Sequence, residues 1–117
     1  MPTIRDVVSA LGTRPGVDAV LVLGRDGLPI DAKVTDGLDA EGLAALVPSI
    51  VAACTRFGAA AGRGEFGMGV VEFQGGIALV SAVTADTLLA ILVKPDTNVG
   101  ALLFELQRHG SAIAGLL

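Results

Sequence analysis

Apolar residues in this chain change their period from one stretch to the next, and the changes mark out its elements. Ile4, Val7, Val8 and Leu11 recur at steps of 3, 1 and 3, one face of a short helix, which Gly12, Pro15 and Gly16 bring to an end. Residues 17–23 are β-rich, with Val20 and Val22 on one face and Ala19, Leu21 and Leu23 on the other. Gly24-Arg25-Asp26-Gly27 is a tight-turn sequence, so 28–34 returns as a second, antiparallel strand. Asp36-Gly37-Leu38-Asp39 breaks the chain again; Asp39 suits an N-cap and Glu41 the first turn of a helix. That helix is predicted over 40–61, with Leu43, Leu46, Val47, Ile50, Val51, Cys54 and Phe57 as a broad apolar stripe. Pro48 lies inside it and predicts a kink or an irregular first turn.

The glycine-dense stretch 62–69 leads into a third strand over 68–73, which Gln74-Gly75-Gly76 turns back. Strands follow at 77–83 and 87–93, separated by Thr84-Ala85-Asp86. After Lys94-Pro95, a last helix is predicted from 99 to 117, capped by Asp96 or Thr97, with Val99, Leu102, Leu103, Leu106, Ile113 and Leu116 at helical spacing. Gly110 and Gly115 weaken it locally. Strands that follow one another without a helix are joined by short turns. The order αββαβββα therefore predicts an α+β fold, a five-stranded antiparallel sheet with helices on its faces.

Composition sharpens this. The 117 residues suit a single domain, residues 1–117, able to bury a core without metal or disulfide. Hydrophobic residues make up 52% and charged ones 17%. Such a chain has too little polar surface to cover itself comfortably, which predicts apolar area buried between subunits. A net charge of −4 with scattered basic residues, and no Trp or Tyr, argues against nucleic acid. Cys54 is the single cysteine and reads as a packed thiol, which fits a reducing, cytoplasmic setting. The opening lacks a signal-peptide pattern. The best membrane-span candidate, 77–93, is interrupted by Asp86 and reads better as a hairpin, so no membrane insertion is expected.

Side chains able to do chemistry are few. Gly62-Arg63-Gly64-Glu65-Phe66-Gly67 matches G-x-G-x-x-G, but it follows a helix and opens a strand, the reverse of a dinucleotide fingerprint. His109, the one histidine, has no partner at metal-ligand spacing on its helix and reads as a solvated or capping residue. A triad of Ser81, His109 and Asp96 can be drawn on paper, yet no nucleophile-turn sequence supports it. Asp18, Asp26, Asp36, Asp39, Asp86 and Asp96 sit mostly in turns, where aspartate serves the backbone. No phosphate-loop lysine motif occurs. The expectation is a non-enzymatic chain without cofactor or metal. The side of the long helix away from its stripe, Ala45, Ser49, Ala52, Ala53 and Arg56, is nearly all small where a solvent face would carry Glu and Lys. It predicts a second packed face, shared with another subunit.

The element order, together with Val22-Leu23-Gly24-Arg25-Asp26-Gly27-Leu28, Val71-Glu72-Phe73-Gln74-Gly75-Gly76 and Leu92-Val93-Lys94-Pro95-Asp96-Thr97-Asn98-Val99-Gly100, resembles the Roadblock family, named for a dynein light chain. The likeness runs over nearly the whole chain. It implies a roadblock/profilin-like sandwich and a homodimer that pairs its long helices and joins third strands into a ten-stranded sheet. Carried onto this sequence, the helix contact would involve Ala45, Ser49, Ala52 and Arg56, and the strand contact Met68, Val70 and Glu72. Prokaryotic members of the MglB type regulate a small Ras-like GTPase by repositioning its own catalytic groups, which makes Arg56 and Arg63 candidate GTPase contacts. The alternative implied by the same family is a passive dimeric scaffold in a motility, transport or signalling assembly.

Overall fold

The computed structural model describes residues 3–116, except the side chains of 108–114. Its elements are α1 (Ile4–Gly12), β1 (Val17–Gly24), β2 (Pro29–Val34), α2 (Ala40–Ala60), β3 (Met68–Phe73), β4 (Gly76–Ala82), β5 (Thr87–Val93) and α3 (Val99–Gly115). This is the predicted αββαβββα order, with boundaries displaced by a residue or two. The side chain of His109 lies outside the described residues.

The strands form one antiparallel sheet in the order β2-β1-β5-β4-β3. The hairpin pairs β1–β2, β3–β4 and β4–β5 follow from short turns. The junction of β1 with β5 does not; it closes the sheet across most of the chain. β5 takes the centre because it is apolar on both faces, with six of the seven residues of Thr87–Val93 buried. A strand buried on both sides needs a neighbour on each edge and a layer on each face.

Two clusters fill those layers. On one face Val8 and Leu11 of α1 and Leu102 and Leu106 of α3 pack on Val20, Val22, Leu79, Leu89 and Ile91. On the other, Ala44, Val47 and Val51 of α2 meet Leu21, Leu23, Val80, Leu88 and Ala90. Alternation along β1 sends Val20 and Val22 to the first cluster and Leu21 and Leu23 to the second, as the period-two pattern requires; Val17, before a register shift, joins the first.

Local chemistry sets the helix ends. Thr3 caps α1 with a full capping box: the Asp6 N–H donates to its Oγ1 at 3.2 Å, and the Thr3 N–H donates to Asp6 Oδ2 at 2.8 Å. Asp39 stands at the N-cap of α2 as expected, but its side chain accepts no capping hydrogen bond. At α3 the structure corrects the sequence reading. Asn98, not Asp96 or Thr97, caps the helix, its Oδ1 accepting from the Ala101 N–H at 3.2 Å. Thr97 instead turns its hydroxyl to the Gly16 carbonyl at 3.5 Å. Pro48 is carried inside α2, which continues through it.

The β1–β2 turn is held against α2 by a glycine. Gly27 has φ +87, and a Cβ there would stand 3.3 Å from the Ala45 Cα. The same turn is tied to the β4–β5 turn, since the Arg25 N–H donates to the Asp86 carbonyl at 3.1 Å and Arg25 Nε donates to the Ala85 carbonyl. Replacing Gly27 with alanine is expected to cost about 1–2 kcal/mol from the left-handed backbone alone, plus a contact term. Gly37, at φ +93 with open space around it, is the comparison site. Urea denaturation of both variants separates the terms: Gly27→Ala should lose more than Gly37→Ala, and equal losses would remove the contact with α2.

Candidate interaction surface

α2 lies over only half of its face of the sheet. Its buried residues meet the rows Leu21–Ala90–Val80 and Leu23–Leu88–Ala82. The next row, Ala19–Leu92–Ala78–Val71, and Phe73 beyond it, lie below the helix. A cavity of about 210 Å³ opens there, walled by Leu43, Leu46, Ile50, Phe73, Ala78 and Leu92 among other apolar side chains. A polar group has no partner in such a space and water no foothold.

The stripe predicted for α2 is therefore not all core. Ala44, Val47 and Val51 are buried, whereas Leu46 is 64% exposed, Ile50 39% and Phe57 78%. Leu46, Ile50, Ala53 and Phe57, at steps of 4, 3 and 4, make a second apolar flank facing the open half of the sheet. Sequence periodicity merged the two because adjacent stripes on one helix look like a single wide one. The small face, Ala45, Ser49, Ala52 and Arg56, is exposed on the far side of this flank. α2, 21 residues long with mean hydropathy 1.6 over its most apolar 18, also meets the length and composition of a bilayer span. In this fold it rests on the sheet, while the span candidate from sequence, 77–93, is the β4–β5 hairpin.

The two sheet edges differ in kind. β2 is guarded. Pro29 offers no N–H, the register with β1 shifts opposite it, and the Asp31 carboxylate accepts from the Ala32 N–H at 2.9 Å. Asp31 and Lys33 add charge, and Arg5 of α1 reaches Asp31 at 4.0 Å. β3 has no proline, no register shift and, among the described residues, no ion pair; Glu72 is its one charge. All six residues of Met68–Phe73 hold an unbroken register with β4, and Val70, Val71 and Phe73 are exposed. Of the strand residues marked from sequence, Met68 is half-buried against the α1–α3 cluster, and Val70 and Glu72 are exposed. An edge so open is a template for another strand.

Arg56 and Arg63 are both exposed, on the last turns of α2 and in the loop after it. The Arg63 N–H donates to the Gly58 carbonyl at 2.8 Å, which closes the helix end. Neither guanidinium makes an ion pair among the described residues. The glycine-rich loop connects α2 to β3 as the order of elements required. Its Phe66 ring packs near Gly69, within 3.6 Å of where a Cβ would stand. Among the described residues no cluster of three metal-ligating side chains occurs. Cys54 is half-buried, in keeping with a packed thiol. A wider cleft of about 540 Å³, lined by Arg14, Gly16, Lys94, Thr97 and Asn98, lies between the α1–β1 and β5–α3 loops. Its two cations are already paired, Arg14 with Glu105 and Lys94 with Asp18.

A five-stranded antiparallel sheet with helices on its faces, in the order αββαβββα, is the architecture that the sequence likeness led to expect. The family model described as the Roadblock/LC7 domain matches residues 3–93. The chain belongs to that family. This Roadblock/LC7 domain is similar in fold to Myxococcus xanthus MglB, with a TM-score of 0.87 at 19% identity, covering 97% of this chain and 93% of that one. A Roadblock/LC7 domain from Streptomyces avermitilis gives 0.82 at 24% identity, covering 92% and 91%. In sequence it is similar to two uncharacterized proteins of Methanocaldococcus jannaschii, each 24% identical over 110 residues, 94% of this chain and 96% of theirs.

Proposed function

We propose that this Roadblock/LC7 domain works as a homodimeric, non-catalytic platform that binds and regulates a small Ras-like GTPase. One observation carries the reading: the half of the sheet left bare by α2 borders the edge strand that lacks the proline and register shift guarding the other. A second copy pairing along β3 would cover both at once. The strand contact would then run through Met68, Val70 and Glu72. The paired α2 helices would meet along the Leu46–Phe57 flank, with Ser49 and Arg56 beside it and Ala45 and Ala52 toward the outer surface. That outer surface is smooth, uncharged along most of its length and ends in Arg56 and Arg63, a docking surface for a partner with an acidic patch.

The partner class rests on the likeness to MglB and to the family's prokaryotic regulators. The domain's own role would be to position the GTPase's catalytic groups, not to supply one. GTP hydrolysis by a Ras-like GTPase from the same genome, measured with and without this protein, tests it. Acceleration is expected. The double variant Arg56→Ala, Arg63→Ala should then raise the concentration needed for half-maximal effect and leave the saturated rate within a few-fold. A loss of roughly a thousandfold or more in that rate would instead mark an arginine finger. Binding without any change in hydrolysis would move the domain to a scaffold role, and binding to neither nucleotide state would remove this partner.

A further inference from the structure

We propose that Phe57 of a second copy fills the apolar cavity beneath α2, so that each subunit completes the other's core. This rests on the paired reading above and adds to it a specific occupant.

The cavity fits the group. Its volume is about 210 Å³ and its walls include Leu43, Leu46 and Ile50 on the helix side and Phe73, Ala78 and Leu92 on the sheet side. A dry apolar cavity of about 150 Å³ takes up benzene, so there is room here for a benzyl side chain. The chain's own aromatic in this region, Phe66, is committed beside Gly69 in the upper row and does not line the cavity.

Phe57 stands where a partner could receive it. α2 begins packed against β2 and ends in the loop that enters β3. Ile50 lines the cavity together with residues of β4 and β5. Phe57, seven residues on, is about 10 Å farther along the axis. That is about two strand spacings of ~4.8 Å, which brings it to the β3 border of the sheet. It lies on the same flank as Ile50 yet remains 78% exposed. A two-fold axis normal to the sheet at that border exchanges the covered half of one copy with the bare half of the other. A side chain reaching past the border from the covered half therefore meets the bare half of its partner, where the cavity lies. The same symmetry runs the two α2 helices antiparallel, so Phe57 of one copy advances toward the Ile50 end of its partner's cavity.

Sedimentation velocity across a concentration series tests this with three variants. Phe57→Ala should raise the dimer dissociation constant roughly a hundredfold or more, as truncation of a central aromatic anchor does. Phe104→Ala removes an aromatic of comparable exposure from α3 and should leave the constant within about threefold of the parent. Ala78→Leu narrows the cavity; it should weaken the parent dimer and strengthen the Phe57→Ala dimer, a reversal of sign that only a shared space produces. A parent dimer that tolerates Phe57→Ala, or effects of the two substitutions that simply add, would overturn the inference and leave pairing itself intact. A parent that remains monomeric at every concentration would overturn both.

Discussion

Replacing Leu88 with alanine is expected to lower stability by about 2–5 kcal/mol, a large part of the roughly 5–15 kcal/mol that holds a domain together. Leu88 is 0% exposed, in the central strand, directly opposite Leu23, which is also 0% exposed. The pair sits beneath α2 with Val47 and Val51. Truncating it removes buried methyl groups and leaves a void between a sheet pinned on both sides and a helix held by only three buried residues. Relaxation into that void would move α2, and with it the flank that faces the open half of the sheet. Equilibrium urea unfolding at fixed protein concentration measures the loss; the midpoint should fall with the slope unchanged. Leu23→Ala should cost a similar amount, and the double variant less than the sum, because the two side chains share one contact. A loss below about 1 kcal/mol would mean that this cluster is not packed as a core.

Gly76→Ala is the second large effect, and its cause is backbone, not burial. Gly76 pairs with Phe73 at the start of β4. A Cβ on it would stand 2.6 Å from the Val93 carbonyl oxygen. That oxygen belongs to a fully buried residue of the central strand and cannot swing aside as a long side chain would. The strand must shift, at a cost of about 1–3 kcal/mol for such overpacking. Because β3 is attached to the sheet through β4 alone, a displaced β4 also misplaces the open edge. The variant should therefore lose stability and, if the proposed β3 pairing holds, weaken that pairing as well. Gly75→Ala, one residue earlier with open space around it, should do neither. Thermal melts and light scattering on the two variants check both halves of the statement.

Much of this molecule was legible in its residues. The tight turns at 24–27 and 74–76 and the apolar runs of β4 and β5 predicted the strands and their hairpins, because a reversal in so few residues admits only antiparallel neighbours. The glycine-rich stretch joins a helix to a strand, α2 to β3, in the order read from the residues. The capping box at Thr3 and Asp6 passed unnoticed, although the local S/T-x-x-acid spacing could have revealed it. The cap at Asn98 was misplaced by a residue or two, where Asp, Thr and Asn stand in succession and any of them can cap.

The candidate surface was half legible. The shortage of charge marked α2 as apolar on more than one side, while its small face, read from sequence as packed, is exposed in this chain. The division of its apolar residues did not show, since Leu46, Val47, Ile50 and Val51 look alike to any periodic reading. What separates them is which rows of the sheet the helix covers, and that depends on where β1 and β5 join. The sequence by itself determined the elements, the antiparallel hairpins, the family and the scarcity of reactive groups, because each rests on residues close together in the chain. Only the tertiary structure decided the strand order, the bare half of the sheet, the guarded β2 edge and the open β3 edge. Each of these is set by contacts between residues distant in sequence, whose pairing no local pattern encodes.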